Sequence, residues 1–405
     1  MSMTGNQTAR ASFVYHDAIF YPVCVVLIGS AVLLRLAALP FVSHDMQYFL
    51  LRWFDYIVLH GRFSALSDGF YNYTPPYIYM MTVVSYLDGV IDRVTLIKSI
   101  SFLFDGISAF LVYKIVLATR YDWRSAVFSA LLFLNLPTLI LNSAVWGQSD
   151  IIYTTLMLAF AYFMIRKCPY QAVLMYAIAF SVKLQAIFLA PFLVYLVLTS
   201  EIPILAIVII PLVYLLLIIP TALAGRGWVD LLTIYSGQAD SMKMLSAHAP
   251  NFYLFFQGSL SQAQVFTATY AGIFLAAATS LGVLIVTFLM RPALSPLYII
   301  LASTLWLGLE PTLLPRMHDR YFFPADVMAF VFACSVPRAW WVAVLFQLGS
   351  ALAYAQFIGG SLNVDMTYWD RFGAVAIIAA MIGVVWLYLR PVKASIALPL
   401  VRKPA

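Results

Sequence analysis

Charge is scarce in this sequence. Asp, Glu, Lys and Arg make up 10% of its 405 residues, 63% are hydrophobic, and the mean hydropathy is +0.93. A soluble domain is roughly a quarter charged and about half apolar. So little charge excludes a water-facing exterior and predicts a polytopic protein whose outside meets lipid. The strict in-out alternation over ~10 residues that marks a membrane β-barrel is missing too, because the apolar stretches are long and continuous. An all-α transmembrane bundle is expected. At ~20 residues per crossing, there is room for about a dozen helices.

Cysteine is the second scarcity. Cys24, Cys168 and Cys334 lie far apart, with no CxxC or Cys/His spacing, which excludes a zinc motif and a disulfide framework. No A-x-A cleavage site follows the apolar run 19–42, and that run is too long for the core of a cleaved leader. It reads as the first permanent helix. With no 20–50-residue repeat and no soluble insert, 1–405 reads as one membrane-embedded domain. The net charge of +6 lies mostly in short loops beside apolar runs, where it sets orientation and gives no sign of a nucleic-acid partner.

What is present is a series of apolar runs at about 19–42, 75–91, 96–118, 124–144, 150–166, 170–199, 202–223, 263–290, 294–313, 321–336, 339–360 and 372–390. The run 170–199 contains Lys183 and Pro191 and can be two crossings, so about 11–13 helices are expected. Arg93, Lys98, Arg120, Arg124, Arg166, Lys167, Arg291, Arg338 and the tail residues Arg390, Lys393, Arg402 and Lys403 mark a cytoplasmic side. The segments 43–74 and 224–262 are long enough for external loops. One conflict follows. If 75–91 crosses inward, 96–118 crosses outward and strands Arg120 and Arg124 outside. Either one of these segments is short or re-entrant, or that loop breaks the rule.

Ionisable groups in or beside a bilayer are costly and ask for a reason. Ser43-His44-Asp45-Met46-Gln47-Tyr48 opens the first loop, and the aromatic spacing through Trp53 and Tyr56 suits interfacial helices lying flat on the membrane. Asp45 is there either an N-cap or a base. Tyr71-Asn72-Tyr73-Thr74-Pro75-Pro76 opens the next helix, where prolines are tolerated. The sequon at Asn72 lies too close to the membrane for modification. In Trp146-Gly147-Gln148-Ser149-Asp150, Trp146 suits an interfacial belt, whereas Gln148 and Asp150 at a helix junction suit a cavity. Lys183 either snorkels or pairs with an anion, Asp150 or a phosphate. Met317-His318-Asp319-Arg320-Tyr321 sets three ionisable residues side by side at a membrane boundary. It is either a solvated loop or an anion site, since the Arg fork matches phosphate oxygens.

The order of these clusters resembles the membrane-embedded GT-C glycosyltransferases: an acid after the first helix, YxYxPP, WGQSD, a mid-membrane Lys and MHDRY. The likeness is greatest to bacterial proteins similar to the eukaryotic GPI mannosyltransferases. The dolichol-phosphate-glucose-dependent ER glucosyltransferases look like more distant relatives. The resemblance spans His44 to Pro324, with Asp319 where the bacterial relatives more often carry Glu. It implies inverting transfer of a hexose, mannose or glucose, from a polyprenyl-phosphate donor to a lipid-linked or envelope-glycan acceptor. The setting implied is the external face of a bacterial inner membrane, with no divalent metal or other cofactor required. Asp45 would be the base, and Arg320, His318 and Lys183 would hold the donor phosphate. His44, Gln47, Tyr73, Trp146, Gln148, Asp150, Asp319 and Tyr321 would contact substrate. The aromatic loop 224–262, with Trp228, Tyr235, Phe252, Tyr253, Phe255 and Phe256, either covers the site or is an interfacial scaffold.

Three other classes compete. A transporter or flippase would explain intramembrane Lys183, Asp105 and Asp150, but the two halves show no repeat. An O-antigen polymerase or ligase typically relies on a large late loop and not on an acidic first one. A purely structural subunit leaves the clustered charges without a purpose.

Overall fold

The computed structural model describes residues 5–240, 244–256, 258–362 and 368–390; the tail residues Lys393, Arg402 and Lys403 lie outside them. The chain is helical almost throughout. In order, the helices are α1 Gly5–Ala38, α2 Leu51–Leu59, α3 Pro75–Val84, α4 Arg93–Arg120, α5 Trp123–Phe133 and α6 Pro137–Leu139, which continues as a π-helix Ile140–Trp146. Next come α7 Asp150–Ile165, α8 Pro169–Val182, α9 Ala190–Leu198, α10 Ile209–Ala224 and α11 Trp228–Asp240. The last five are α12 Gln262–Met290, α13 Pro296–Leu313, α14 Phe323–Ser335, α15 Trp340–Ser361 and α16 Trp369–Leu389.

Local chemistry sets the starts. The Asp92 carboxylate accepts the Thr95 amide at the head of α4, and Asp122 accepts those of Arg124 and Ser125 at the head of α5. A reciprocal Ser261–Gln264 box opens α12. Pro75, Pro169 and Pro296 start α3, α8 and α13, where a missing N–H leaves nothing unpaired.

Among the described residues, seven helices are long and apolar enough to cross a bilayer: Ala18–Ala38, Arg93–Arg120, Ile204–Ala224, Gln262–Met290, Pro296–Leu313, Pro337–Gly360 and Trp369–Leu389. The pair Trp123–Phe133 and Pro137–Trp146, bent by 42°, is long and apolar enough for an eighth when the two are taken together. The chain is thus a multi-pass membrane protein. Asp150–Ile165, Pro169–Val182 and Leu184–Leu198 are shorter apolar helices, and the run 170–199 does break in two at Lys183, whose backbone is extended. At 1.5 Å per residue, α7 and α8 reach only about 24 and 21 Å, less than the ~30 Å hydrocarbon core. α7 packs inside the bundle and does not have to match the bilayer, whereas α8 buries one face on it and leaves Tyr170 and Leu174 exposed. The polar ends of both helices at Asp150 and Lys183 therefore lie recessed and buried.

The conflict around 75–124 resolves at α3. Its 10 residues span about 15 Å, too little to cross. Arg93, just after it, pairs with Asp55 of α2 and Asp88, and Arg62 donates to the Ser85 carbonyl near the α3 C-terminus. The whole stretch 75–93 thus stays at the Asp45 end. From there α4 runs to the opposite end, where Arg120 donates to the Cys334 carbonyl of α14. This corrects the placement of Arg93 and Lys98, which do not share a side with Arg120 and Arg124. Asp105 is not a free intramembrane charge: Arg35 of α1 pairs with it at 2.7 Å, and Ser143 donates to it.

Candidate active site

The first loop turns back onto the bundle at Asp45. Its backbone is helical (φ −61°, ψ −39°) and its carboxylate caps nothing, so the N-cap alternative falls. Oδ2 instead accepts three donors: Trp146 Nε1 at 3.0 Å, Gln148 Nε2 at 2.7 Å and Arg320 Nη1 at 3.1 Å. All three meet one oxygen, which fixes the carboxylate plane and leaves Oδ1 outside that cluster. Gly147 makes this possible. Its φ of 79° is left-handed, and a Cβ there would collide with the Met46 methyl. Glycine takes this turn without strain and without displacing Met46, and the side chains on both sides of it reach one carboxylate. The Ser43 hydroxyl donates to the Trp146 carbonyl at 2.8 Å, fastening the two segments together.

Behind Asp45 the charges alternate. Arg320 Nε lies 3.7 Å from Asp150 Oδ2, Asn142 Nδ2 donates to the same oxygen at 3.1 Å, and Lys183 Nζ pairs with Asp150 Oδ1. The Lys183 ammonium lies 5.5 Å from the centre of the Tyr73 ring and 5.7 Å from that of Tyr153; Arg320 lies 5.3 Å over Trp146. Lys183 therefore does not snorkel. Its charge is taken up by Asp150.

The late cluster is held by the aromatic loop. Strand β1, Ser246–Ala247, pairs in parallel with β2, Met317–His318, which brings Met244 and His248 over the site. The His248 ring sits 2.9 Å from Asp370 Oδ2, and that hydrogen bond raises the affinity of the imidazole for its proton. His318 goes the other way, down to about 2, through burial and then the nearby Arg320 and Lys183 cations; it is a neutral hydrogen-bonding group. Burial pushes the Asp319 carboxyl up to about 7 against the pull of Arg320.

A pH dependence follows. Asp319 keeps its proton to about 7 in the fold but releases it near 3.8 when unfolded, so the folded state binds more protons between these values. Stability from this group falls as pH rises through that window, by up to ~1.4 kcal/mol per unit, and is level above it. Asp319→Asn is expected to flatten this part of the curve. Unfolding midpoints of the two proteins across that range check it.

A cavity of about 440 Å³ opens here, walled by Asp45, Tyr73, Trp146, Gln148, His318, Asp319 and Arg320. Asp150 and Lys183 lie beneath its floor. His44 and Gln47 are exposed and are not among its lining, though the His44 ring packs edge-on against Phe357, which is; Tyr321 packs its ring against His318 and Phe188. Phe49, Trp53, Asn72, Met244, His248 and Phe357 also line the cavity and were not foreseen. Asn72 was visible only as a sequon, and His248 only as part of an aromatic loop. Among the described residues, no three His, Cys, Asp or Glu side chains are placed to hold a metal ion.

The architecture is a polytopic helical bundle whose first loop carries short helices, among them α2. Among solved structures it superposes on ArnT from Cupriavidus metallidurans bound to undecaprenyl phosphate, with a TM-score of 0.53 at 11% identity, over 90% of this chain and 75% of that one. At that identity the likeness is one of fold. No protein-family model and no curated protein matches the sequence.

Proposed function

We propose that this chain is a GT-C glycosyltransferase. It moves a hexose, mannose or glucose, from a polyprenyl-phosphate carrier to a hydroxyl of a lipid-linked or envelope-glycan acceptor, with inversion. The observation that carries this is a carboxylate fixed by three donors on one oxygen, beside an arginine, in a recessed cavity. The acceptor oxygen attacks the anomeric carbon as its proton passes to Asp45 Oδ1. The bond from that carbon to the phosphate oxygen breaks, and the electron pair leaves with the lipid phosphate. Arg320 and neutral His318 meet the charge that develops there, a role that needs no divalent ion. The ArnT neighbour, bound to undecaprenyl phosphate, supports a polyprenyl-phosphate donor. The opposite end of the bundle carries Arg120, Arg124, Arg166, Lys167, Arg291 and Arg338, so the positive-inside rule turns the site outward, on a bacterial inner membrane.

The test is transfer by the purified, detergent-solubilised protein. Polyprenyl-phosphate mannose and glucose are offered with a lipid-linked acceptor pool, with and without EDTA. Product of inverted anomeric configuration, formed equally in both, is expected. No transfer from any donor, together with flux of a lipid-linked or anionic substrate in liposomes, would sink the reading in favour of a transporter.

A further inference from the structure

Lys98 lies in the second turn of α4 with its whole side chain buried, and its hydrogen-bond partners include no carboxylate. Nζ donates to the Ala38 carbonyl at 2.6 Å and the Phe41 carbonyl at 2.7 Å, with the Leu39 carbonyl at 3.4 Å. Ala38 is the last residue of α1 and Leu39 and Phe41 belong to the turn that follows it, at the end where the helix dipole favours a cation. The chain passes from this clamp through Val42, Ser43 and His44 straight to Asp45. The Lys98 stem also lies along Gly147, within ordinary contact of where its Cβ would be. One turn further along α4, Ser101 donates to the Gln148 carbonyl at 2.8 Å. A single face of α4 thus holds two of the three segments that meet at Asp45 Oδ2, those of Asp45 and of Trp146–Gln148. A buried ammonium hydrogen-bonded to carbonyls, with no carboxylate in contact, is an expensive way to close a helix, and an apolar residue of similar length would fill the space.

We infer that Lys98 is a positioning residue of the transfer site: as an internal cap of α1, it sets where Asp45 stands relative to Gln148 and Arg320. The inference rests on the proposed transfer reaction. Misplacing a reacting group by about 1 Å costs on the order of 10²-fold in rate, so Lys98→Met is expected to lower kcat by about that factor with KM little changed. The unfolding midpoint should stay near that of the wild type, because the methionine keeps the buried stem.

A structural role would not give the next result. In an Asp45→Asn background, Lys98→Met is expected to lower the residual rate no further, since it acts through the carboxylate that is already gone. An active wild type with unchanged kcat in Lys98→Met overturns the inference alone, as does an equal fall in both backgrounds. A wild type inactive toward every donor instead refutes the transfer reading. Should Lys98→Met fail to fold, Lys98→Gln, a donor of shorter reach, replaces it; wild-type kcat there also overturns the role.

Discussion

Asp45→Asn is expected to lower kcat for sugar transfer by about 10²–10⁴-fold, the range a general base contributes. The amide is nearly isosteric, and its single carbonyl oxygen still accepts from Trp146 or Gln148. With that oxygen in the place of Oδ2, the NH2 stands in the place of Oδ1 and cannot take up the acceptor proton. The fold should survive. The Asp45 side chain is 20% exposed, so no sealed-in charge is orphaned, and Arg320 keeps Asp150 at 3.7 Å. Equal losses in kcat and kcat/KM, with an unchanged unfolding midpoint, would place the defect in the chemical step. A variant within about tenfold of the wild-type rate is incompatible with Asp45 as the base.

The sequence made the bundle legible because the membrane taxes every charge: where charges persist among apolar runs they mark junctions, and the junctions held the site. Asp45 and Arg320 were visible in this way and Gln148 as a polar group at such a junction, whereas Trp146, which read as an interfacial belt residue, is fully buried against Asp45. What Asp45 does was not visible, because its choice between cap and cavity is decided by partners 101, 103 and 275 positions away. Hydropathy also ran past the end of α3. Asp88 and Gly89 sit inside the apolar run 75–91, and the left-handed Gly89 (φ 86°) turns the chain back there. The breaker was readable, but average hydropathy outweighed it. The pairing of loop 224–262 with the late cluster left no signal, since two residues per strand carry no periodicity.

The pair beneath the cavity should answer to mutation asymmetrically. Asp150 is fully buried and Lys183 is 8% exposed, and removing one member of a buried ion pair typically destabilises by about 3–5 kcal/mol because the other is left uncompensated. Asp150→Asn should reach that range, since Lys183 would keep an amide oxygen and the faces of Tyr73 and Tyr153 but lose its countercharge. Lys183→Met should do less, because Asp150 retains Asn142 at 3.1 Å and Arg320 at 3.7 Å. The double variant should recover much of the larger loss, leaving no orphaned charge. Heating each protein and measuring what stays monodisperse ranks the three. The same set decides what Lys183 is for. If it only neutralises Asp150, the double variant keeps its transfer rate; if it also grips the donor phosphate, the fold returns while KM for the donor remains raised.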